Sequence, residues 1–243
     1  MLQLLTPIYR VVVHFLYPQR CTCCRLDLSY KNTSPLCGAC ADKLKQPGPL
    51  ICRRCGRVLS SGGAYCFACR GSKADKYKCK IIRSAFIFNE PVRRLVHALK
   101  YRQNVALAKY MGGQMASFFP RISELKNVNY VVPVPLFARR LRQRGFNQSE
   151  LLARVVAEKL NLPLDTVSLI RTRDTGSQTK LGREARERNM QGAFKCVAPE
   201  KVKGKIILLI DDVCTTGATL ESCAVALRNA GARRVVALTY ARE

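Results

Sequence analysis

Cys-x-x-Cys occurs four times before residue 70, as Cys21/Cys24, Cys37/Cys40, Cys52/Cys55 and Cys66/Cys69. Two residues between cysteines let a tight turn aim both sulfurs at one tetrahedral metal, and two such knuckles close a structural site of four thiolates. Ten of the thirteen cysteines precede residue 80, which marks off a small module from the rest of the chain. Such a module has little apolar core, so metal binding is expected to supply most of its folding free energy. Successive pairs give one zinc site from Cys21, Cys24, Cys37 and Cys40, and a second from Cys52, Cys55, Cys66 and Cys69. An interleaved arrangement satisfies the same order. Disulfides would need an oxidising compartment, and an iron–sulfur cluster is the other chemistry open to four thiolates; zinc is the expected ion. Cys23 and Cys79 stand outside the pattern. Gly38 and Gly56, each following a cysteine, are expected to give the knuckle turns their backbone freedom.

Arg20, Arg25, Arg53, Arg54, Arg57 and Arg70 flank the knuckles and point to nucleic acid or a partner protein, with plain scaffolding the equal alternative. Over its 243 residues the chain carries 42 Lys and Arg against 16 Asp and Glu, a formal +26. Two tetrathiolate zinc sites, each with a net −2, would lower this to about +22. A surface so positive draws polyanions, whether nucleic acid, anionic lipid or phosphorylated metabolites, although charge also serves solubility alone. The first sixteen residues are apolar but lack a basic stretch before the apolar run and a cleavage pattern after it. Pro7 and Arg10 break the run short of the ~20 residues a membrane span needs. The expected organisation is a short amphipathic helix over 1–18, a double zinc ribbon over 19–75 and a larger domain over 80–243. A cytoplasmic location without a transmembrane segment goes with it.

From residue 80 apolar runs alternate with amphipathic stretches, the pattern of a mostly parallel sheet with helices, an α/β fold. Ile81 to Phe88 reads as a strand, and Pro91 to Lys100 as a helix with Val92, Leu95, Val96 and Leu99 on one face. Met111 to Phe119 continues or repeats that helix. Tyr130 to Val134 is a strand ending in Pro-Val-Pro, and Asn147 to Leu160 a helix with Leu151, Leu152, Val155 and Leu160 inward. Ile206 to Ile210 makes a strand buried on both faces, with Asp211 and Asp212 at its C-terminal end and a Thr/Gly loop opening a helix to about Ala230. Thr215, Thr216 and Thr219 offer hydroxyls, Gly217 lets backbone approach closely, and helix-start amides point at an anion. The two acids can accept charge-assisted hydrogen bonds from neighbouring ribose hydroxyls. A sugar 5-phosphate meets both requirements. No Gly-Lys-Ser/Thr ending or Gly-x-Gly-x-x-Gly follows the strand, so neither a P-loop nor a dinucleotide fold fits.

Asp211-Asp212-Val-Cys-Thr-Thr-Gly-Ala218-Thr219 resembles the ribose-phosphate signature of type I phosphoribosyltransferases. Three further features narrow the resemblance: Phe15 to Cys21 leading into the knuckles, Pro133 to Gln148, and Arg171 to Asn189 running on to Phe194. Together they resemble the ComF family, also called GntX, over essentially the whole chain. The resemblance implies a type I phosphoribosyltransferase fold behind the double zinc ribbon, and a role in natural transformation or DNA utilisation. It implies binding of 5-phosphoribosyl 1-diphosphate, with magnesium accompanying the diphosphate, together with single-stranded DNA and competence-machinery proteins as partners. Asp211, Asp212, Thr215, Thr216, Gly217, Ala218 and Thr219 carry over as the ribose-phosphate site. The two acids are the residues expected to serve a transfer reaction on a nitrogenous acceptor, should the protein be an enzyme.

Arg139, Arg140 and Arg144 offer charge for the diphosphate; a solvated face and a nucleic-acid contact are their other readings. Residues 171–190 are polar and rich in Thr, Gly and Gln, either a flap with Gln178, Arg183 and Arg186 as contacts or a linker leading into a helix. A ribose-phosphate site at this bend requires an open loop. A bend sealed against other protein, or acids turned into the interior and ion-paired, would end that reading.

Overall fold

The computed structural model describes residues 14–15, 18–70, 76–101, 105–175 and 183–243, with side chains omitted at 183, 184, 186 and 187. The expected N-terminal helix falls largely outside them. The larger domain follows the hydrophobic pattern closely. Strand β1 (Cys79–Ile87) leads through helices α1 (Glu90–Tyr101) and α2 (Val105–Phe118) to β2 (Tyr130–Pro133). Helices α3 (Ala138–Arg144) and α4 (Gln148–Leu160) precede a small antiparallel pair, β3 (Leu169–Arg171) and β4 (Phe194–Cys196), with α5 (Arg183–Met190) between them. A short α6 (Pro199–Val202), then β5 (Ile206–Cys214), α7 (Ala218–Asn229) and β6 (Arg234–Arg242) complete the chain.

The main sheet has four strands in the order β1-β6-β5-β2, every neighbouring pair parallel. Parallel strands need crossover helices on both faces, which is why β5 is apolar on both. Successive residues of a strand face opposite sides. Leu208 and Ile210 join Val236 and Leu238 against α1, α2 and α4, while Ile207 and Leu209 join Val235 and Ala237 against α7 and the β3–β4 pair. On α4 the fully buried face is Leu152, Ala153, Val156 and Ala157, and Leu151 and Leu160 are only partly covered.

Strand β5 does not stop at Ile210 as expected. It runs through both acids to Cys214, because Asp211, Val213 and Cys214 keep pairing with Thr239, Ala241 and Arg242 of the equally long β6. Its other neighbour, β2, ends at Pro133 opposite Ile210, and the last contact on that side is Val134 N–H to Ile210 O at 2.9 Å. A second proline, Pro135, cannot extend the ladder. The acids therefore stand where one strand outruns its neighbour, at the carboxyl end of the sheet.

The two ribbons are structural repeats. Arg20 bridges to Asp27, as Ile51 does to Val58, in antiparallel fashion. Cys21 and Cys52 accept the same turn hydrogen bond, from Arg25 N–H at 3.0 Å and Gly56 N–H at 2.9 Å. Both turn residues have positive φ, 67° at Arg25 and 70° at Gly56. Gly38, expected to supply such freedom, instead opens a single helical turn, Gly38–Ala41, and is not among the positive-φ glycines. The first knuckle thus forms its left-handed turn without glycine. At Gly56 a second constraint appears: a Cβ there would lie 2.7 Å from the Ile82 carbonyl oxygen.

That contact marks where the ribbons cover the exposed edge of β1. Ile82 N–H donates to Arg54 O and Ile87 N–H to Lys45 O, both at 2.8 Å, and the buried Arg83 reaches Arg53 O at 2.9 Å. An uncovered edge strand would present a row of unpaired backbone groups. Cys21, Cys23, Leu28 and Leu36 of the first ribbon join the core under α1 and α2.

Gly56→Ala should lower stability by roughly 1–3 kcal/mol through backbone strain alone, with the Ile82 clash added. Arg25→Gly should change it by far less. Urea midpoints of the metal-loaded protein measure both, and equal losses would show that neither the positive φ nor the Ile82 contact at Gly56 matters.

Candidate functional site at the end of β5

The N-terminus of α4 fills the gap left where β2 ends. Asn147 caps it, accepting from Ser149 N–H at 3.1 Å and donating its amide to Val134 O at 3.0 Å. This fixes Gln148 and Ser149 against the acids. Ser149 Oγ donates to Asp211 Oδ1 at 2.7 Å, and Gln148 Nε2 lies 3.5 Å from Asp212 Oδ1. The partial positive charge of a helix start favours anions at this point. From α1, Lys100 Nζ comes within 2.6 Å of Asp212 Oδ2.

Both acids are therefore turned inward, Asp211 at 9% and Asp212 at 4% exposure, and Asp212 is ion-paired. This overturns the expectation of two open acceptors and meets the condition set against the site, although the bend beyond them stays open; a ligand can reach Asp212 only by displacing Lys100. Adjacent carboxylates in one buried strand cannot both be ionised cheaply. Burial, then the neighbouring Asp212 charge, push the Asp211 carboxyl well above the usual range. Burial opposes ionisation of Asp212 too, but the Lys100 ammonium outweighs it and holds that carboxyl low. Lys100, in turn, is held charged by Asp212 against its own burial.

Cations ring the pair. Arg144 bonds Gln148 Oε1 at 2.5 Å and lies 5.7 Å from the Tyr101 ring centre. Arg171 is pushed down, first by burial and then by the charge of Arg140, which places those two guanidiniums near one another. Arg139, by contrast, is engaged with Asp174 at 3.0 Å. Of the three arginines picked from sequence, Arg144 is linked to the acids through Gln148 and Arg139 is tied to the base of the expected flap. Gln178 lies outside the described residues, and Arg183 and Arg186 are placed by their α5 backbone alone.

The bend itself is open. Thr215, Thr216 and Gly217 are half-buried, and the two threonines line a cavity. Gly217 takes φ 86° as the residue before α7 and supplies no side-chain cap, while Thr216 Oγ1 accepts from Ala218 N–H at 3.3 Å. Ala218 is buried and Thr219 half-buried in the first turn of α7. The left-handed turn at Gly217 opens α7, and a helix start of this kind suits an anion.

Sequence reasoning missed Lys100, Ser149 and Gln148. Asn147 was readable as a cap, and the polar pair after it is where an apolar residue would ordinarily pack. Nothing local marks Lys100, which comes to Asp212 only through the α1 crossing.

The cysteines fall into Cys21/Cys24/Cys37/Cys40 and Cys52/Cys55/Cys66/Cys69, the ligand atoms of each set all within 4.8 Å of one another. Successive pairs combine and the interleaved arrangement does not occur. Tetrahedral zinc with bonds of about 2.3 Å needs sulfurs about 3.8 Å apart. Cys24 and Cys37 are at 3.6 Å and Cys55 and Cys66 at 3.7 Å, so both sets fit that ion. Cys23 instead points its thiol at Pro91 O, 3.4 Å away. The second set is wired to the loop helix: Arg54 stacks 3.3 Å from the Tyr77 ring centre, lies 3.7 Å from Cys69 Sγ and pairs with Glu221 of α7 at 2.9 Å.

Comparison with known proteins follows this division. A phosphoribosyl transferase domain family matches residues 147–242 and a double zinc ribbon family residues 12–70. The chain is 31% identical over 221 residues to the DNA utilization protein YhgH of Salmonella typhimurium, covering 90% of this chain and 94% of that one. Competence protein F of Haemophilus influenzae is 28% identical over 230 residues, covering 92% and 96%. Competence protein ComFC of Bacillus subtilis is 30% identical over 204 residues, covering 83% and 81%. Among the described residues no helix is long and apolar enough to cross a membrane.

The split titration predicts opposite outcomes at neighbouring positions. Asp212→Asn leaves the Lys100 ammonium unpaired; a lost buried pair costs roughly 3–5 kcal/mol, reduced to about 1–3 because Lys100 can turn to water. Asp212, its carboxyl held low, contributes stability above the ordinary carboxylate pKa that is lost as pH falls through its depressed value. Asp211, its carboxyl held high, contributes stability at low pH that is lost as pH rises from the ordinary carboxylate range toward its raised value. Asp211→Asn should therefore be no less stable than the parent at pH 7 and should lack that decline. Urea unfolding across pH tests this, and a large loss in Asp211→Asn at neutral pH would reverse the charge assignment.

Proposed function

Because the chain belongs to the ComF family of competence and DNA-utilization proteins, we propose that it binds 5-phosphoribosyl 1-diphosphate at the end of β5 and engages single-stranded DNA in the cytoplasm during DNA uptake or utilization. One arrangement carries the reading: an acid pair and a Thr/Gly loop opening a helix share the carboxyl end of a parallel strand, ringed by cations. Ligands of open parallel sheets bind at that end.

Thr215, Thr216, Gly217, Ala218 and Thr219 cradle the 5-phosphate, and Asp211 and Asp212 accept from the ribose hydroxyls. Arg140 and Arg144 draw the diphosphate, with Arg171 beside them. Arg139 joins them only by leaving Asp174. Lys100 stands where the hydroxyls must approach Asp212, so binding exchanges one ammonium for hydroxyl donors. Its side chain keeps 29% exposure, which leaves it room to turn outward onto the diphosphate. Magnesium arrives on the diphosphate. Among the described residues, only the cysteine sets bring three or more metal-ligating groups together.

A second reading, phosphoribosyl transfer to a nitrogenous acceptor, is favoured by Asp211. A carboxyl held high by burial and by its neighbour can take or give a proton near neutral pH. Each cysteine set holds one structural zinc, and the ribbon, with its arginines, is the surface offered to DNA and to competence-machinery proteins.

Calorimetric titration of the zinc-loaded protein with 5-phosphoribosyl 1-diphosphate, with and without magnesium, is expected to show one site. Asp212→Asn should weaken it at least about tenfold, the loss of a charged acceptor. No saturable heat in the parent protein would remove the reading. Affinity for single-stranded DNA should fall steeply between roughly 50 and 200 mM salt, and salt-independent binding would exclude phosphate contacts. Chelating the zinc should unfold the ribbons and release the Arg54–Glu221 pair. Far-UV dichroism would register the first effect and proteolysis near α7 the second, and an unchanged protein would exclude a structural metal.

A further inference from the structure

A cavity of about 470 Å³ lies between the second ribbon and the Thr215–Thr216 bend. It falls within the roughly 300–1,000 Å³ usual for small-molecule sites. Arg57 and Val58 of the ribbon, Phe86 of β1, and Thr215, Thr216 and Arg242 are among the residues that line it. Asp211 and Asp212 do not line it. The two threonines of the bend thus line this cavity while the acids do not.

Arg242 is the informative residue. It ends β6 at 7% exposure, yet no carboxylate among the described residues stands within ion-pair distance of it. One nitrogen donates to Cys214 Sγ at 2.8 Å, a thiol that burial keeps neutral, and its buried Nε has no partner. Guanidinium groups are rarely buried without an anion, and their fork of donors suits phosphate. Glu243 is exposed at the rim and pairs with neither arginine. Arg57, also exposed, brings a second unpaired cation from the other module. Two cations and two hydroxyls make an anion site, while Phe86, Val58 and the neighbouring Ile87 and Pro47 offer apolar surface that a bare phosphate would leave unused.

We propose that this cavity is a nucleotide site, distinct from the acid pair, that takes a nucleoside 5′-monophosphate unit with its phosphate on Arg57 and Arg242 and its base against Phe86 and Val58. The unit is either a free nucleotide or the 5′-phosphorylated end of a DNA strand. Both present the same chemistry. Because the walls come from the ribbon and from the sheet, occupancy bridges the two modules.

The test uses the full zinc-loaded chain, titrated calorimetrically with thymidine 5′-monophosphate, with a short 5′-phosphorylated oligonucleotide and with its 5′-hydroxyl counterpart. 5-Phosphoribosyl 1-diphosphate is titrated in parallel. Arg57→Gln should weaken the mononucleotide or the phosphorylated oligonucleotide at least about tenfold, the loss of one charge-assisted contact, and leave 5-phosphoribosyl 1-diphosphate within about twofold. Asp212→Asn should do the reverse, so loss of either site is told apart from loss of the other. A phosphorylated oligonucleotide binding more tightly than the mononucleotide assigns the site to strand ends, and the opposite order assigns it to free nucleotides. Arg242→Gln is informative where it folds; the exposed Arg57 keeps the test decisive where it does not. Each of the following overturns the site: no saturable binding of either phosphorylated probe, binding that Arg57→Gln leaves unchanged, or a mononucleotide that depends on Asp212 and is displaced by 5-phosphoribosyl 1-diphosphate. Should the second cysteine set be Arg242's true counter-charge, Arg242→Gln would loosen the zinc and leave nucleotide binding intact, which also overturns it.

Discussion

Two carboxylates on consecutive residues of a buried strand form an electrostatic problem that the surrounding fold is arranged around. Asp212 keeps its charge by drawing the Lys100 ammonium to 2.6 Å, and Asp211 largely gives its charge up. Three elements must meet for this: the end of α1, the start of α4 and the overhang of β5 beyond β2. The Pro133–Val134–Pro135 corner makes room by ending β2, and Asn147 uses the freed Val134 carbonyl to anchor α4 there. The same corner that stops one strand thus seats the helix whose start stabilises the acids. A buried ion pair is a weak source of stability, but it is a demanding one, since either partner alone is worse than neither. Its cost at the end of a strand, where an apolar pair would pack more favourably, is what the proposed ligand would have to account for.

The metal module is attached to this centre rather than hung beside it. Its knuckles cover the β1 edge, and Gly56 lets the backbone come so close to Ile82 that no side chain fits between. Arg54 then ties the second cysteine set to Glu221 in the first turn of α7, the helix that the Thr/Gly loop opens. Glu221 also accepts from Lys78 and Cys79 N–H at 2.6 and 3.2 Å, so the start of β1, the ribbon and the loop helix share one carboxylate. A change in the metal site would be felt at the loop through this short path.

Local chemistry in the sequence was enough to read the parallel sheet, the helix faces on α1, the cysteine sets and the loop after β5. Each of these rests on residues close together in the chain: a periodic run, a fixed Cys-x-x-Cys spacing, a Thr/Gly cluster after five apolar residues. What was not legible depends on crossings. Lys100 is 112 residues from the acid it neutralises, and as one of 42 basic residues it carries no local mark. The end of β5 was misread because strand length is set by the partner: apolar character stops at Ile210, but β6 continues pairing to Cys214. Gly38 was misread because a glycine beside a cysteine says nothing of which residue of the knuckle turns left-handed, and in the first ribbon that is Arg25.

The inward acids change what recognition at this bend requires. An open carboxylate pair would bind any polyol or cation that reached it, whereas a pair closed by Lys100 admits only a ligand able to replace the ammonium's hydrogen bonds and to hold the displaced charge nearby. A sugar carrying both a diol and an anionic group does both at once: hydroxyls for Asp212, a charged group for Lys100 and the neighbouring arginines. A diol without the anion strands the lysine, and an anion without the diol leaves the acids unpaired, so each alone pays the cost of opening the pair without its return. On the proposed reading, selectivity for a phosphorylated pentose would follow from the ion pair itself, before any contact with the loop is counted.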